Sequence, residues 1–461
     1  MSTPTSSWPF CLVLAVAVLA AAVIVGAPEA RAASTGRAPS WQKAWTPPVT
    51  ASISPGPRLA RSATGDLYVA ALEYRSQADT YDWVLIRYTN SGVRKWVRRV
   101  SGAFNSGSLS GLATDAAGNV VAAGQITAAG QAADDWLVVK YSRAGKRLWT
   151  RRIAGSEPGG DRVFDIAAGP KGSFYVAGYL RRAGHYDDAT LVRLSASGRR
   201  SWSRYLDGPG HSSDAFTAVA VDAKGRAYVT GYDYELGRAN DVIVARYSAS
   251  GHRDWLRHWG DDVALRHDRG TDIAVRGAVV GVAGSTLAGD VGWTERGLVL
   301  AYSTGGHLRW SRVRANDSPS LPASFTLAGV DGTGRVAVAG TWVTWAGQPA
   351  PLRWVTTVYG VTGGEGVVQR LWGDVEPYNF PQSLASSANG RVYEAGFVNY
   401  AATGRDALVV CLRPGGSVAW SSRVFSAGTG VDSGGDIVTT SKALYVVAMY
   451  GPSIRLMKYR L

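Results

Sequence analysis

Three features of the sequence predict an all-β protein assembled from repeated four-stranded units. A tryptophan recurs at a fixed interval: Trp96, Trp149, Trp202 and Trp255 are each 53 residues apart, and Trp310, Trp420 and a degenerate Trp372 extend the series. A Gly precedes and an Arg follows most of them. Ahead of most of these Trp an Asp opens an alternating apolar segment, with a basic end in Asp82 to Tyr88, Asp135 to Tyr141, Asp188 to Leu194 and Asp241 to Tyr247, and with Cys411 at that place in Asp406 to Leu412. Further upstream a turn Gly starts an apolar strand ending in Ala-Gly or Thr-Gly, from Gly118 to Gly124, Gly172 to Gly178, Gly225 to Gly231, Gly334 to Gly340 and Gly390 to Gly396. Short period-two strands, punctuated by turns and repeated at even spacing, are the pattern of β-propeller blades.

Composition permits such a fold and excludes others. The chain has 461 residues, 46% of them hydrophobic and 18% charged, which is too apolar for disorder and too mixed for a bundle of membrane helices. Its two cysteines rule out a disulfide framework and any Cys-based zinc or iron–sulfur centre, so a metal would be held by oxygen or histidine. An unbroken apolar run from Phe10 to Val25 followed by Ala30-Arg31-Ala32 reads as a cleaved secretory signal over residues 1–32. The expected location is therefore extracellular or cell-surface, or periplasmic in a cell with an outer membrane, with no membrane span after cleavage. Cys11 leaves with the signal, and Cys411 is expected to be a packing residue.

Counting the two strand types predicts how the ring closes. The Gly-opened hairpin occurs eight times, from Gly65 to a variant at Ala443 to Ala448, whereas only seven Trp strands follow. Trp41-Gln42-Lys43-Ala44-Trp45 is expected to supply the missing strand beside Ile454 to Tyr459, which removes two open sheet edges. Eight units of 53 residues take up 424 of the 429 residues after the signal. A single propeller of four-stranded blades is expected, eight in number, with seven blades and flanking strands as the alternative. The boundaries are residues 1–32 for the signal, 33–54 for a linker and closing strand, and 55–461 for the propeller.

The run from Leu112 to Arg152, with Asp115, Gly118 and Gly124, then Asp135-Trp136-Leu137-Val138-Val139-Lys140-Tyr141, then Gly145 and Trp149, resembles the bacterial secreted β-propeller repeat family of seven-bladed propeller type repeats. The resemblance covers nearly all of residues 55–461. It implies the fold and no particular ligand. The Gly-x-x-x-Trp turn is also similar to the tryptophan-docking repeat of quinoprotein dehydrogenases, but the adjacent-cysteine pair of many such enzymes is impossible here.

Residues repeated once per blade are expected to serve the scaffold. The Trp should fill the wedge between neighbouring sheets, and the Arg two residues on should cover its ring or a nearby carbonyl. The strand-opening Asp82, Asp135, Asp188, Asp241 and Asp406 should accept backbone N–H bonds in the preceding turn. A second series, Asp161, Asp214, Asp268 and Asp432, with companions Asp165, Asp272 and Asp436, lies in loops leading to the innermost strands. It is the candidate set for calcium or another hard cation. His252, His258 and His267, near Asp261 and Asp262, form a second, weaker metal or acid–base candidate. The irregular blade between Leu327 and Trp372 carries Trp342, Trp345 and Trp354, and Trp293 sits in the matching loop before it. These four are the candidate sugar-binding surface, since flat indole faces complement the apolar face of a pyranose.

Lys and Arg exceed Asp and Glu by 49 to 35, a formal net charge of +14. Such a surface attracts polyanions with an affinity that falls as salt rises. Export and the lack of any nucleic-acid module argue against nucleic acid as the partner. The leading expectation is a monomeric, non-catalytic secreted propeller that binds a polysaccharide or anionic cell-envelope polymer, with no catalytic residue and no cofactor beyond calcium. The competing classes are a propeller enzyme (lyase, glycoside hydrolase or quinone-dependent oxidoreductase) and a platform for a protein partner. Fold alone does not choose among them.

Overall fold

The computed structural model describes residues 36–48, 51–54, 56–128, 131, 133–235, 239–260, 267–287, 294–314, 323–343, 352–364, 368–371, 379–400, 404–424 and 432–461. The expected signal at 1–32 lies outside them. The described residues are strands and turns, with one short 3-10 turn at Pro170–Gly172 and no α-helix. They form six four-stranded antiparallel sheets and one eight-stranded sheet, in which the long strand Arg94–Thr114 is the outer strand of one unit and the inner strand of the next. Taking that sheet as two gives eight four-stranded units.

The innermost strands are Arg58–Arg61, the second half of Arg94–Thr114, Arg162–Ala168, Ala215–Val221, Arg269–Arg276, Ala323–Val330, Phe380–Ser386 and Ser433–Thr439. Each touches the next, and the last returns to the first. The final unit takes its outermost strand from the start of the chain: Trp41–Trp45 pairs antiparallel with Ser453–Arg460, from Trp41 opposite Lys458 to Trp45 opposite Ile454. Without it, the strand Ser453–Arg460 would present an unpaired edge.

The core is divided among the sheet interfaces. Eight apolar clusters among the described residues each bridge two neighbouring units, including one that joins Trp45, Leu456 and Val447 to Val69 and Ile86 across the closure. Sequence alternation marked the third strands as period-two strands. They are buried on both faces, as in Asp135–Tyr141, because a sheet packs on either side. Even Lys140 is buried there, held by Asp115 at 2.8 Å and by the carbonyl of Ala196 at 3.1 Å. Alternation survives in the outer strands, such as Arg147–Ile153.

The Trp and Arg series joins each unit to its successor. The indole N–H groups of Trp96, Trp149, Trp202 and Trp310 donate to the carbonyls of Arg143, Ala196, Ala249 and Val361 at 3.0 to 3.1 Å, each in the outer turn of the following unit. Two residues on, Arg98, Arg151, Arg204 and Arg257 donate to the carbonyls of Gly145, Gly198, Gly251 and Gly306 at 2.6 to 2.8 Å. The guanidinium also lies over its own indole, 5.5 Å from the ring centre for Arg204 and Trp202. The strand-opening aspartates differ from expectation. Asp82 pairs with Arg75 at 3.3 Å and Asp188 with Arg182 at 2.7 Å, while Asp135 pairs with Arg152 and Asp406 with Arg423. These four carboxylates are held by arginines on adjoining strands and turns, and a charge-assisted pair is stronger than a neutral hydrogen bond.

Candidate functional site

The aspartates expected to hold a cation sit just before innermost strands, and the fold uses them to fasten loops. Asp161 accepts from the N–H of Arg181 at 2.8 Å and of Gly155 at 2.6 Å. Asp214 accepts from Tyr234 at 2.7 Å and Gly208 at 2.5 Å, and Asp432 from Gly451 at 2.8 Å. Asp268 occupies the same place, its own N–H bonded to the carbonyl of Asn240 at 2.8 Å. All four are buried. Burial raises the Asp161 carboxyl to about 6 and that of Asp214 to about 7, against the opposing pull of their N–H donors. The Asp161 and Asp214 carboxylates thus each tie the end of a unit's second strand to the loop that enters that unit. The companions act across the inner strands: Asp165, Asp272 and Asp436 accept the N–H of Val219, Ala328 and Leu59 in the following unit at 2.8 to 3.0 Å. The four residues of the first series stand in different units, each with its own loop.

The tryptophan surface needs correction. Trp342 and Trp354 are 2% and 0% exposed, so neither offers a ring face to a sugar. Trp342 lies in the core between the fifth and sixth units, and Trp354 in the core between the sixth and seventh. The Trp354 indole donates to Glu394 at 2.8 Å, and the Thr356 hydroxyl to the same oxygen at 2.7 Å. Burial pushes the Glu394 carboxyl up to about 8. Trp354 fills the same buried third-strand position as Trp83 and Trp136, five residues before the strand-end Tyr. Trp345 and Trp293 lie outside the described residues.

The histidine candidate is also redistributed. His258 pairs with Asp233 at 2.8 Å, and Asp261 and Asp262 lie outside the described residues. A different pair converges. His185, in the turn between strands Phe174–Arg181 and Asp187–Leu194, places Nδ1 2.7 Å from Asp207 Oδ2, and His211 places its Nδ1 2.6 Å from the same oxygen. The two imidazoles meet edge to face with centres 5.7 Å apart. Among the described residues this is the one group of three or more His, Cys, Asp or Glu side chains arranged closely enough to share a metal ion. No sequence pattern announces it, because His185 and His211 belong to two loops that the sheet brings together.

The opposite rim holds a cavity that the sequence did not signal. It has a volume of about 500 Å³ and lies where the innermost strands of the fifth, seventh and eighth units turn into their second strands. Arg276 and Arg391 line it with Ser386, Asn389, Tyr393 and Thr440. The Ser386 hydroxyl itself is buried beside Gly329, out of reach of a molecule in this space. Two arginines with the hydroxyl and amide side chains of Thr440 and Asn389, around a space of ligand size, suit an anionic, hydroxylated molecule.

No protein-family model matches the chain, and no curated protein matches it. Among solved structures, an ulvan lyase of a polysaccharide lyase family superposes with a TM-score of 0.47 and 11% identity, covering 91% of this chain and 96% of that one. The β-propeller domain of the trilobed protease from Pyrococcus furiosus gives 0.45 and 9%, over 78% and 93%. The periplasmic gluconolactonase of Pseudomonas aeruginosa gives 0.45 and 13%, over 76% and 94%. None of these sets a function for this chain.

Proposed function

We propose that the protein is an exported propeller that binds an anionic polysaccharide or a phosphate-bearing cell-envelope polymer in the cavity between Arg276 and Arg391. The observation that carries this reading is a space of about 500 Å³ lined by two arginines, Arg276 and Arg391, together with Asn389, Tyr393 and Thr440. A guanidinium recognises carboxylate, sulfate or phosphate through two parallel N–H bonds, which gives orientation as well as attraction. The hydroxyl and amide groups around it match sugar hydroxyls. The net charge of +14 adds long-range attraction that raises the rate of encounter and is screened by salt.

Co-sedimentation tests the proposal. The protein is titrated against neutral glucans, uronate polymers and polyol-phosphate polymers at low and moderate salt. Retention of one anionic polymer at moderate salt, with neutral glucans left in the supernatant, is the expected result. Equal capture of every polyanion, abolished by salt, would reduce the binding to surface charge and defeat the assignment to this cavity.

A further inference from the structure

We propose that His185, Asp207 and His211 form a binding site for a divalent transition metal of the zinc class, on the rim of the third unit and independent of the Arg276 and Arg391 cavity. Two imidazole nitrogens and one carboxylate are the donor set that borderline metals prefer. Calcium and magnesium take oxygen ligands instead.

The positions of the polar atoms support the assignment. Asp207 Oδ2 has a ring nitrogen on either side, at 2.7 and 2.6 Å. Only the His211 contact is aligned as a hydrogen bond. His185 Nδ1, Asp207 Oδ1 and the neighbouring Asp188 Oδ1 are buried and have no hydrogen-bond partner. Asp188 Oδ1 is 3.8 Å from His185 Nδ1, while its other oxygen is held by Arg182 at 2.7 Å. His185 Nδ1, Asp207 Oδ2 and His211 Nδ1 lie within 4.8 Å of one another, and a cation among them would satisfy the buried, unbonded His185 nitrogen. A metal with bonds of about 2.0 to 2.2 Å would space its ligands about 3.3 Å apart, so the present contacts need to open by only about 0.7 Å.

The loops are built to hold the ligands. Gly208, next to Asp207, donates its N–H to the buried Asp214 at 2.5 Å, and Gly210 donates to the carbonyl of Tyr234 at 3.0 Å. His211 adopts φ +48°, an uncommon conformation for a residue with a side chain, and this turns its imidazole back toward Asp207. Asp214 is therefore a positioning residue for the loop. The His211 side chain is 67% exposed, so the outer side of the site is open to water, and three protein ligands plus a solvent position is a common zinc arrangement.

Zinc titration of the untagged, chelator-treated protein against a chromophoric competitor tests the site. One equivalent is expected to bind. His185→Ala, His211→Ala and the near-isosteric Asp207→Asn should each weaken binding at least about 100-fold, while His307→Ala, at a distant turn, leaves it unchanged. Circular dichroism checks that each variant is folded. Cobalt loaded in place of zinc should give visible ligand-field bands that His185→Ala/His211→Ala removes. Binding of less than a tenth of an equivalent, or equal zinc affinity in wild type and the folded double variant, would overturn the proposal.

Discussion

The indole of Trp149 donates its N–H to the carbonyl oxygen of Ala196 at 3.0 Å, and the contact links the outer strand of one sheet to the outer turn of the next. Gly198 completes the joint. It has φ +77°, and a Cβ built there would lie 2.5 Å from the Trp149 ring.

Gly198→Ala should therefore destabilise the protein by roughly 2 to 4 kcal/mol, from backbone strain and displacement of the indole together. Trp149→Phe keeps most of the packing and loses the hydrogen bond, at a cost of about 1 to 3 kcal/mol. Denaturant melts followed by tryptophan fluorescence, with circular dichroism alongside, give both values. Equal stability in either variant would show that the joint contributes nothing to the ring.

Buried acids predict a stability that falls as pH rises. Glu394 has an ordinary value of 4.5, raised to about 8 by burial, and Asp272 is raised from 3.8 to about 7. Between the ordinary and raised values the folded chain holds protons that the unfolded chain has released. The stabilisation is complete below about pH 4 and is lost as pH climbs toward 8. Glu394→Gln cannot ionise and keeps an acceptor for Trp354 and Thr356. It should flatten the slope and raise stability at pH 7 to 8 by on the order of 1 to 3 kcal/mol. Thermal melts at pH 5 and pH 8 read the difference. A wild-type melting temperature that rises between them would contradict the assignment.

Asp214→Ala removes the acceptor of two backbone N–H groups, those of Gly208 and Tyr234. Leaving two donors buried and unpaired should cost about 2 to 5 kcal/mol. Hydrogen exchange is expected to quicken at Gly208 and Tyr234 before it does elsewhere in the fourth unit. Unchanged protection at both amides would show that water replaces the carboxylate without loss.

The closing strand makes a further prediction. Removing residues 36–45 exposes Ser453–Arg460 as an unpaired edge and strips Trp45 from its cluster. The shortened chain should melt lower and self-associate, as seen by light scattering after size exclusion. A monomer with the parent melting temperature would count against closure by this strand.

Much of the scaffold was legible because it repeats. The 53-residue spacing of Trp96 to Trp255 located the outer strands, and the shortfall of one Trp strand pointed to Trp41–Trp45 as the partner of the final strand. Function was much less legible. Trp342 and Trp354 looked like a surface because nothing in a sequence separates an indole that fills a core from one that faces water. Asp161 and Asp214 looked like ligands because a carboxylate that caps backbone N–H groups carries the same letter as one that binds a cation. His185 and His211 were passed over because they are adjacent only across two loops. The cavity lined by Arg276 and Arg391 joins turns more than a hundred residues apart, with no local pattern to mark it.

Calorimetric titration of a uronate tetramer into wild type and the Arg276→Ala/Arg391→Ala variant, at one moderate salt concentration, tests the central claim most directly. Two charge-assisted contacts of about 1.5 to 3 kcal/mol each predict one site in the wild type and a loss of affinity of about 100-fold or more in the variant, with the fold intact. Equal affinity in the two proteins, or no heat of binding in either, would contradict the account.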